Sequence, residues 1–226
     1  MKKNEGKSGR FSPGKTGKLV FVLLLCVTLL SAGCGSGAGK EKQENGSSTE
    51  AGETGSGGRD LSGLPPAVID VKDYGKIRVA LDAEAAPVTV ENFIKLAKDG
   101  FYDGLTFHRI IDGFMIQGGD PAGNGTGGSD KTIVGEFASN GHQNPISHVK
   151  GVISMARAND PDSASSQFFI TVADSVFLDG EYAAFGYVTE GMEVADKIAA
   201  DAEPVDGNGT ILPADQPVIS SIIIEE

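Results

Sequence analysis

Phe107-His108-Arg109-Ile110-Ile111-Asp112-Gly113-Phe114-Met115-Ile116-Gln117-Gly118-Gly119-Asp120 is the stretch on which the fold turns. With Leu105 and Thr106 before it, it holds two short apolar runs, Leu105–Ile111 and Phe114–Gln117, parted by a glycine turn. Apolar runs this short, bounded by turn residues, read as strands. The pattern recurs at Val152–Met155, Gln167–Val172, Ala183–Val188 and, after Pro217, at Val218–Ile224. Upstream, Lys76–Asp82 alternates, with Ile77, Val79 and Leu81 on one face of a half-buried strand. Order begins near Leu64-Pro65-Pro66. Two segments break the rhythm. After Pro87, Val90, Phe93, Ile94 and Ala97 fall at helical spacing, and Gly100 stands where a C′ glycine belongs. Met192–Ala200 reads as a second, short helix. Strands that follow one another without a helix between each pair exclude a doubly wound sheet. They point to a mainly β domain, an antiparallel barrel or sandwich with helices closing its ends.

Composition agrees. The 226 residues are 39% hydrophobic and contain 32 glycines and no tryptophan, which suits one turn-rich domain with a real core. A net charge of -12 argues against a nucleic-acid binder. Two cysteines, Cys26 and Cys34, make neither a disulfide framework nor a zinc site.

The first 63 residues read as an address and a tether. Six Lys and Arg residues within 1–18 precede Leu19–Ala32, an uncharged apolar run too short for an ordinary membrane span. Leu30-Ser31-Ala32-Gly33-Cys34 resembles the lipobox of bacterial lipoproteins, with Ser31 where leucine is usual. The resemblance implies a signal peptide over 1–33, cleavage before Cys34, and a diacylglycerol on the Cys34 thiol. Residues 34–63 are then a Gly/Ser/Glu linker that cannot bury enough apolar surface to fold. It would hold the domain of residues 64–226 at a coil distance on the order of 30 Å from the outer face of a bacterial membrane.

Other motifs carry no chemistry. The glycine-rich Asp120–Gly128 lacks the Gly-Lys-Ser/Thr ending of a phosphate loop and reads as turns with positive φ. His108, His142 and His148 lack metal-ligand spacing, and no Gly-x-Ser-x-Gly elbow occurs. Neither a metal nor a cofactor is expected.

Five blocks in order carry a resemblance over Val71–Glu225: Phe107–Asp120, Asn124–Gly128, Ser154-Met155-Ala156, Ser165–Ile170 and Phe177-Leu178-Asp179-Gly180. Together they are similar to the cyclophilins, peptidyl-prolyl cis-trans isomerases. The resemblance implies an eight-stranded antiparallel closed barrel capped by two helices, with proline-containing polypeptides bound in an outer groove. It implies Arg109 as the catalytic residue and Phe114, Met115, Phe169 and Leu178 as the proline pocket. Gln117 and Gln167 match groove residues, and Ala156 with the backbone of Arg157 matches the segment that pairs with bound peptide. His108 is expected to be a buried, hydrogen-bonding structural residue.

Three positions depart from many relatives. Arg157 replaces Asn, and its added charge is expected to favour acidic peptides. Phe177 replaces Trp, keeping an aromatic wall without an N–H donor, so cyclosporin should bind weakly. Tyr182 replaces His at the groove rim. An active foldase of exported proteins, an X-Pro binding module without turnover, and a structural lipoprotein all fit the tether. The joint presence of Arg109, Phe114, Met115, Gln117 and Phe169 favours the first. A lone barrel on a tether is expected to be a monomer.

Overall fold

The computed structural model describes residues 60–225. The signal segment, Cys34 and the linker as far as residue 59 lie outside the described residues. Eight strands form one antiparallel sheet: β1 (Pro66–Val71), β2 (Gly75–Leu81), β3 (Phe107–Ile111), β4 (Met115–Gly118), β5 (Val152–Met155), β6 (Phe168–Thr171), β7 (Ala184–Glu190) and β8 (Ile219–Ile224). Their spatial order is β3-β4-β6-β5-β7-β2-β1-β8. The two outer strands meet beside their paired ends. Phe107 N donates to Pro217 O at 2.9 Å, Ile219 N donates to Leu105 O at 2.8 Å, and Thr106 bridges Val218. The sheet therefore curls back on itself, which leaves little open edge.

Sequence patterning locates every strand except β1. Pro65-Pro66 reads as punctuation, yet Ala67, Ile69 and Val71 behind it alternate inward and are fully buried. Pro is tolerated there because it begins the strand.

Side-chain parity fills the barrel. Ile77, Val79 and Leu81 of β2, Ile116 of β4, Ile153 and Met155 of β5, and Phe168 and Ile170 of β6 share one core cluster. The helix α1 (Pro87–Lys98) adds Phe93, whose ring lies 5.2 to 5.6 Å from those of Tyr102, Phe168 and Phe185. Such pairs add about 0.5–1.5 kcal/mol each beyond area burial. The helix α2 (Met192–Asp201) contributes Ala195, Ile198 and Ala199.

Both ends of α1 show how the loops stabilise it. Its N-cap, Ala86, offers no side-chain oxygen. Glu136, from a distant loop and 2% exposed, accepts the N–H groups of Val88 (3.0 Å) and Thr89 (2.8 Å) and the Thr89 hydroxyl (2.7 Å). These are N–H groups that a helix start otherwise leaves unpaired, and the carboxylate sits at the positive end of the helix dipole. At the other end Gly100, at φ +69, donates to Ala97 O while Phe101 donates to Leu96 O. That pair of bonds is the Schellman closure that a C′ glycine permits.

Candidate active site

The site begins with an irregularity in β3. Strict alternation from the buried Phe107 would aim Arg109 into the barrel. The register with β4 instead slips between Phe107 and Arg109, so that Phe107 faces Gly118 and Arg109 faces Gln117. This bulge absorbs one residue and re-aims the strand. Beyond it Ile110 returns to the core, paired with Ile116 and through it with Ile170 and Ile153. The neighbouring row, Arg109–Gln117–Phe169–Ser154, lies on the outer face of four adjacent strands.

The Arg109 side chain is held by two oxygen acceptors. Its Nε donates to Asn208 O at 2.8 Å and its Nη1 donates to Gln117 Oε1 at 3.1 Å. Because a guanidinium only donates, Gln117 must present its oxygen to Arg109 and its nitrogen to the next acceptor. Gln117 Nε2 indeed donates to Gln167 Oε1 at 3.0 Å, and Gln167 Nε2 donates to Gly127 O at 2.7 Å. The chain of donors runs in one direction across the groove floor. Burial pulls the Arg109 pKa below its ordinary value, with the electrostatic influence of Tyr182 and Asp206 acting in the opposite direction. An arginine starting so high stays charged at neutral pH. Nη2 makes no hydrogen bond among the described residues, so a donor remains for a ligand.

The turn that supplies Asn208 O is itself built. Asp206 accepts from Asn208 N (2.9 Å), Thr210 N (3.0 Å) and the Thr210 hydroxyl (2.8 Å). The carbonyl of Gly209, at φ +86, accepts the Ile110 N–H at 2.8 Å. A Cβ at Gly209 would lie 2.5 Å from Ile111 Cγ1 and 2.6 Å from Ile110 O, so only glycine fits. Composition shows nothing of Asn208 because the contact uses its backbone.

Beside Arg109 lies an apolar cluster. Met115, Phe169 and Leu178 are buried, with Ile111, Phe114, Ala156 and Tyr182 packed against them. Phe177, 70% exposed, leans on Phe114 with ring centroids 5.5 Å apart. Arg109, Phe114, Met115, Gln117, Ala156, Arg157, Phe169, Phe177, Leu178 and Tyr182 line one pocket of about 330 Å³. That volume suits a pyrrolidine ring and its flanking peptide. Gln167 lines an adjoining polar depression with Gly125, Thr126, Gly127 and Ser165.

His108 is buried, as expected, but neither ring nitrogen has a hydrogen-bond partner among the described residues, which corrects the expectation of a bonded residue. Burial pushes its pKa below the usual histidine value, Asp120 opposing and Arg109 adding to the effect. His148, unassigned by sequence reading, lies under the pocket. Its Nδ1 is 2.9 Å from Asp179 Oδ1, its Nε2 is 3.0 Å from Ser154 Oγ, and its ring stacks on Phe169. Burial lowers its pKa too, against the pull of Asp179. The trio has the residue types of a hydrolase triad, but Ser154 is wholly buried and no acyl group can reach it. Its visible effect is to support the Phe169 ring from behind.

Arg157 lines the groove with its guanidinium partnered by Glu181. Nη2 is 3.4 Å from Glu181 Oε2 and Nε donates to Glu181 O at 3.0 Å.

The comparisons with known proteins converge. The model of the family described as cyclophilin type peptidyl-prolyl cis-trans isomerase/CLD matches residues 67–225. Peptidyl-prolyl cis-trans isomerase A of Dickeya dadantii is 49% identical over 130 residues, which span 55% of this chain and 66% of the relative. Peptidyl-prolyl cis-trans isomerase B of Bacillus subtilis is 49% identical over 129 residues, spanning 57% of this chain and 87% of the relative. Among solved structures, a cyclophilin type peptidyl-prolyl cis-trans isomerase of Cryptosporidium parvum, crystallised in the presence of the dipeptide Ala-Pro, superimposes with a TM-score of 0.63 at 30% identity. That match covers 71% of this chain and 99% of the other. With an eight-stranded curled sheet, two helices, and an arginine set beside an apolar outer pocket, the chain belongs to the cyclophilin-type peptidyl-prolyl cis-trans isomerases.

Proposed function

We propose that this chain accelerates X-Pro bond rotation in exported or surface proteins, with Arg109 as the catalytic donor and a lipid on Cys34 as the anchor. The observation that carries the mechanism is a charged, doubly braced guanidinium at the edge of an apolar pocket. Rotation about X-Pro is slow because amide resonance imposes a barrier of roughly 18–20 kcal/mol. In the twisted state the proline nitrogen regains its lone pair and the carbonyl loses its conjugation. A fixed donor near that nitrogen or the prolyl carbonyl stabilises the twisted amide more than the planar one, and only such a difference accelerates the step. Phe114, Met115, Phe169 and Leu178 grip the ring, so that the amide twists against a held end. No nucleophile or proton relay is required.

The groove floor gives the peptide its direction. Arg109, Gln117 and Gln167 form a polar line beside the pocket, and Ala156, whose N–H donates to Gln167 O at 2.9 Å, continues the wall. Cyclosporin binds weakly in this reading, since Phe177 lacks an N–H donor. Replacing Phe177 with Trp is expected to tighten it in titration calorimetry, and an unchanged affinity would remove Phe177 from the account.

The first test is an isomerisation assay on residues 35–226 with a short X-Pro peptide, beside Arg109→Ala. Acceleration that collapses in a folded variant supports the mechanism. A folded wild-type domain without activity would favour the peptide-binding module. The anchor is tested separately by palmitate labelling and membrane fractionation of the full chain. Label and membrane association should both disappear in Cys34→Ala. A labelled or membrane-bound variant refutes this anchor.

A further inference from the structure

Arg157 stands in the groove wall with its side chain only 15% exposed. Its Cζ lies 5.0 Å from the Phe137 ring centroid and 4.9 Å from that of Tyr182, so the guanidinium is sandwiched between two rings. Its edges are occupied as well. Nη1 donates to Ala158 O at 2.9 Å, Nε to Glu181 O at 3.0 Å, and Nη2 faces Glu181 Oε2 at 3.4 Å. The contacts draw together three pieces of chain that have no strand pairing with one another. Phe137 is buried core, Ala158 belongs to the rim segment after β5, and Glu181-Tyr182 form the far wall. Tyr182 in turn meets Phe169 edge-on at 5.9 Å, and both line the apolar pocket.

We infer that Arg157 is a positioning residue that sets the width of the proline pocket by pinning Tyr182 between itself and Phe169, rather than a charge that reads the substrate. The inference rests on the isomerase reading above and adds a specific role within it. Its chemistry requires arginine. A planar, delocalised cation can stack on two rings while its edge donates in-plane, whereas a lysine ammonium is a strongly hydrated point charge that cannot do both. Glu181 completes the arrangement. It balances the charge from the solvent side, so a passing peptide meets a neutral wall.

The test compares Arg157→Ala, Arg157→Lys, Tyr182→Ala and the Arg157→Ala/Tyr182→Ala double variant. Each is assayed for isomerisation and for binding of a non-reacting proline peptide by NMR titration. Arg157→Ala is expected to raise KM and peptide Kd roughly tenfold, the size of a desolvated cation–π contact, with kcat little changed. Arg157→Lys should behave like Ala despite keeping its charge. The double variant should be no worse than Tyr182→Ala alone, because both substitutions remove one wall.

Acidic-flanked and basic-flanked peptides should keep their relative kcat/KM when both charges of the pair are removed together, in Arg157→Ala/Glu181→Gln. A shift in that ratio in this charge-balanced variant would overturn the inference in favour of direct charge reading. Strictly multiplicative losses in the double variant would also overturn it, by separating Arg157 from Tyr182. An inactive wild type would sink the isomerase reading, yet the peptide-binding arm would still decide the role of Arg157. Arg157→Lys retains most of the side-chain volume and keeps the comparison open where Arg157→Ala does not fold.

Discussion

Replacing Arg109 with lysine separates the charge of the catalytic residue from its geometry. The guanidinium spends Nε on Asn208 O at 2.8 Å and Nη1 on Gln117 Oε1 at 3.1 Å, and both bonds aim the rest of the group at the pocket. Lysine brings the same charge on a flexible stem with all its donors at one point. It can approach Asn208 O or the substrate amide, but it cannot be braced by one while fixed on the other. Losing a single preorganised donor of this kind costs about 2.7–4 kcal/mol of transition-state stabilisation, or roughly 10²–10³ in kcat. The ring contacts of Phe114, Met115, Phe169 and Leu178 survive the change, so KM should move only slightly. Line-shape or exchange NMR on a cis/trans X-Pro peptide measures both quantities, with circular dichroism to verify the fold. A lysine variant within threefold of wild-type kcat would show that charge alone suffices and that bracing by Asn208 and Gln117 is irrelevant. A rise in KM at constant kcat would make Arg109 a binding residue only.

Three further outcomes follow from the packing. Gly209→Ala forces a Cβ into Ile111 and the Ile110 carbonyl at positive φ; it should cost on the order of 1–3 kcal/mol and lower activity by displacing Asn208 O, read by denaturant unfolding and the peptide assay together. Full activity in that variant would detach the turn from Arg109. Glu136→Ala leaves the N–H groups of Val88 and Thr89 without their buried acceptor, and a loss of about 3 kcal/mol is expected in urea unfolding, given about 1.5–3 kcal/mol per charged hydrogen bond. A change under about 1 kcal/mol would mean water replaces the carboxylate. Stability should also fall with acid in two windows. His108 and His148 have folded pKa values below the usual histidine value near 6.5, so their neutral forms favour the fold above it and stability is lost as pH drops below. Asp179 is held below the ordinary carboxylate range, since bonds from Ser147 and His148 outweigh burial. Its contribution disappears only below about pH 4. A urea midpoint that is flat from pH 7.5 to 5 would contradict the histidine assignment.

All the strands but β1, whose alternation is masked by the prolines that open it, are legible because each buries a face. Ile77, Val79 and Leu81 announce β2 through alternation alone, and Phe93 with its helical neighbours announces α1. What sequence patterning could not supply is parity at the groove. In β6, Phe168 and Phe169 are both buried, at 0% and 5% exposure, so hydropathy does not tell which faces the barrel and which faces the pocket. Only the family blocks distinguish them in advance. The orientation of Arg109 is harder still. Counting from Phe107 gives the wrong face, and the bulge that corrects it depends on cross-strand pairing with Gly118 and Gln117. The partners that matter most around it are a backbone carbonyl at Asn208 and an amide whose orientation is fixed by its neighbours. Arg157 shows the same limit from the other side. Its residue type suggested a charge facing the substrate, and the distances to Phe137, Tyr182 and Glu181 show that charge already occupied. An isolated charge next to a binding groove therefore says little about selectivity until its partners are known. In this site the guanidinium that can serve a ligand is the one with a donor left over.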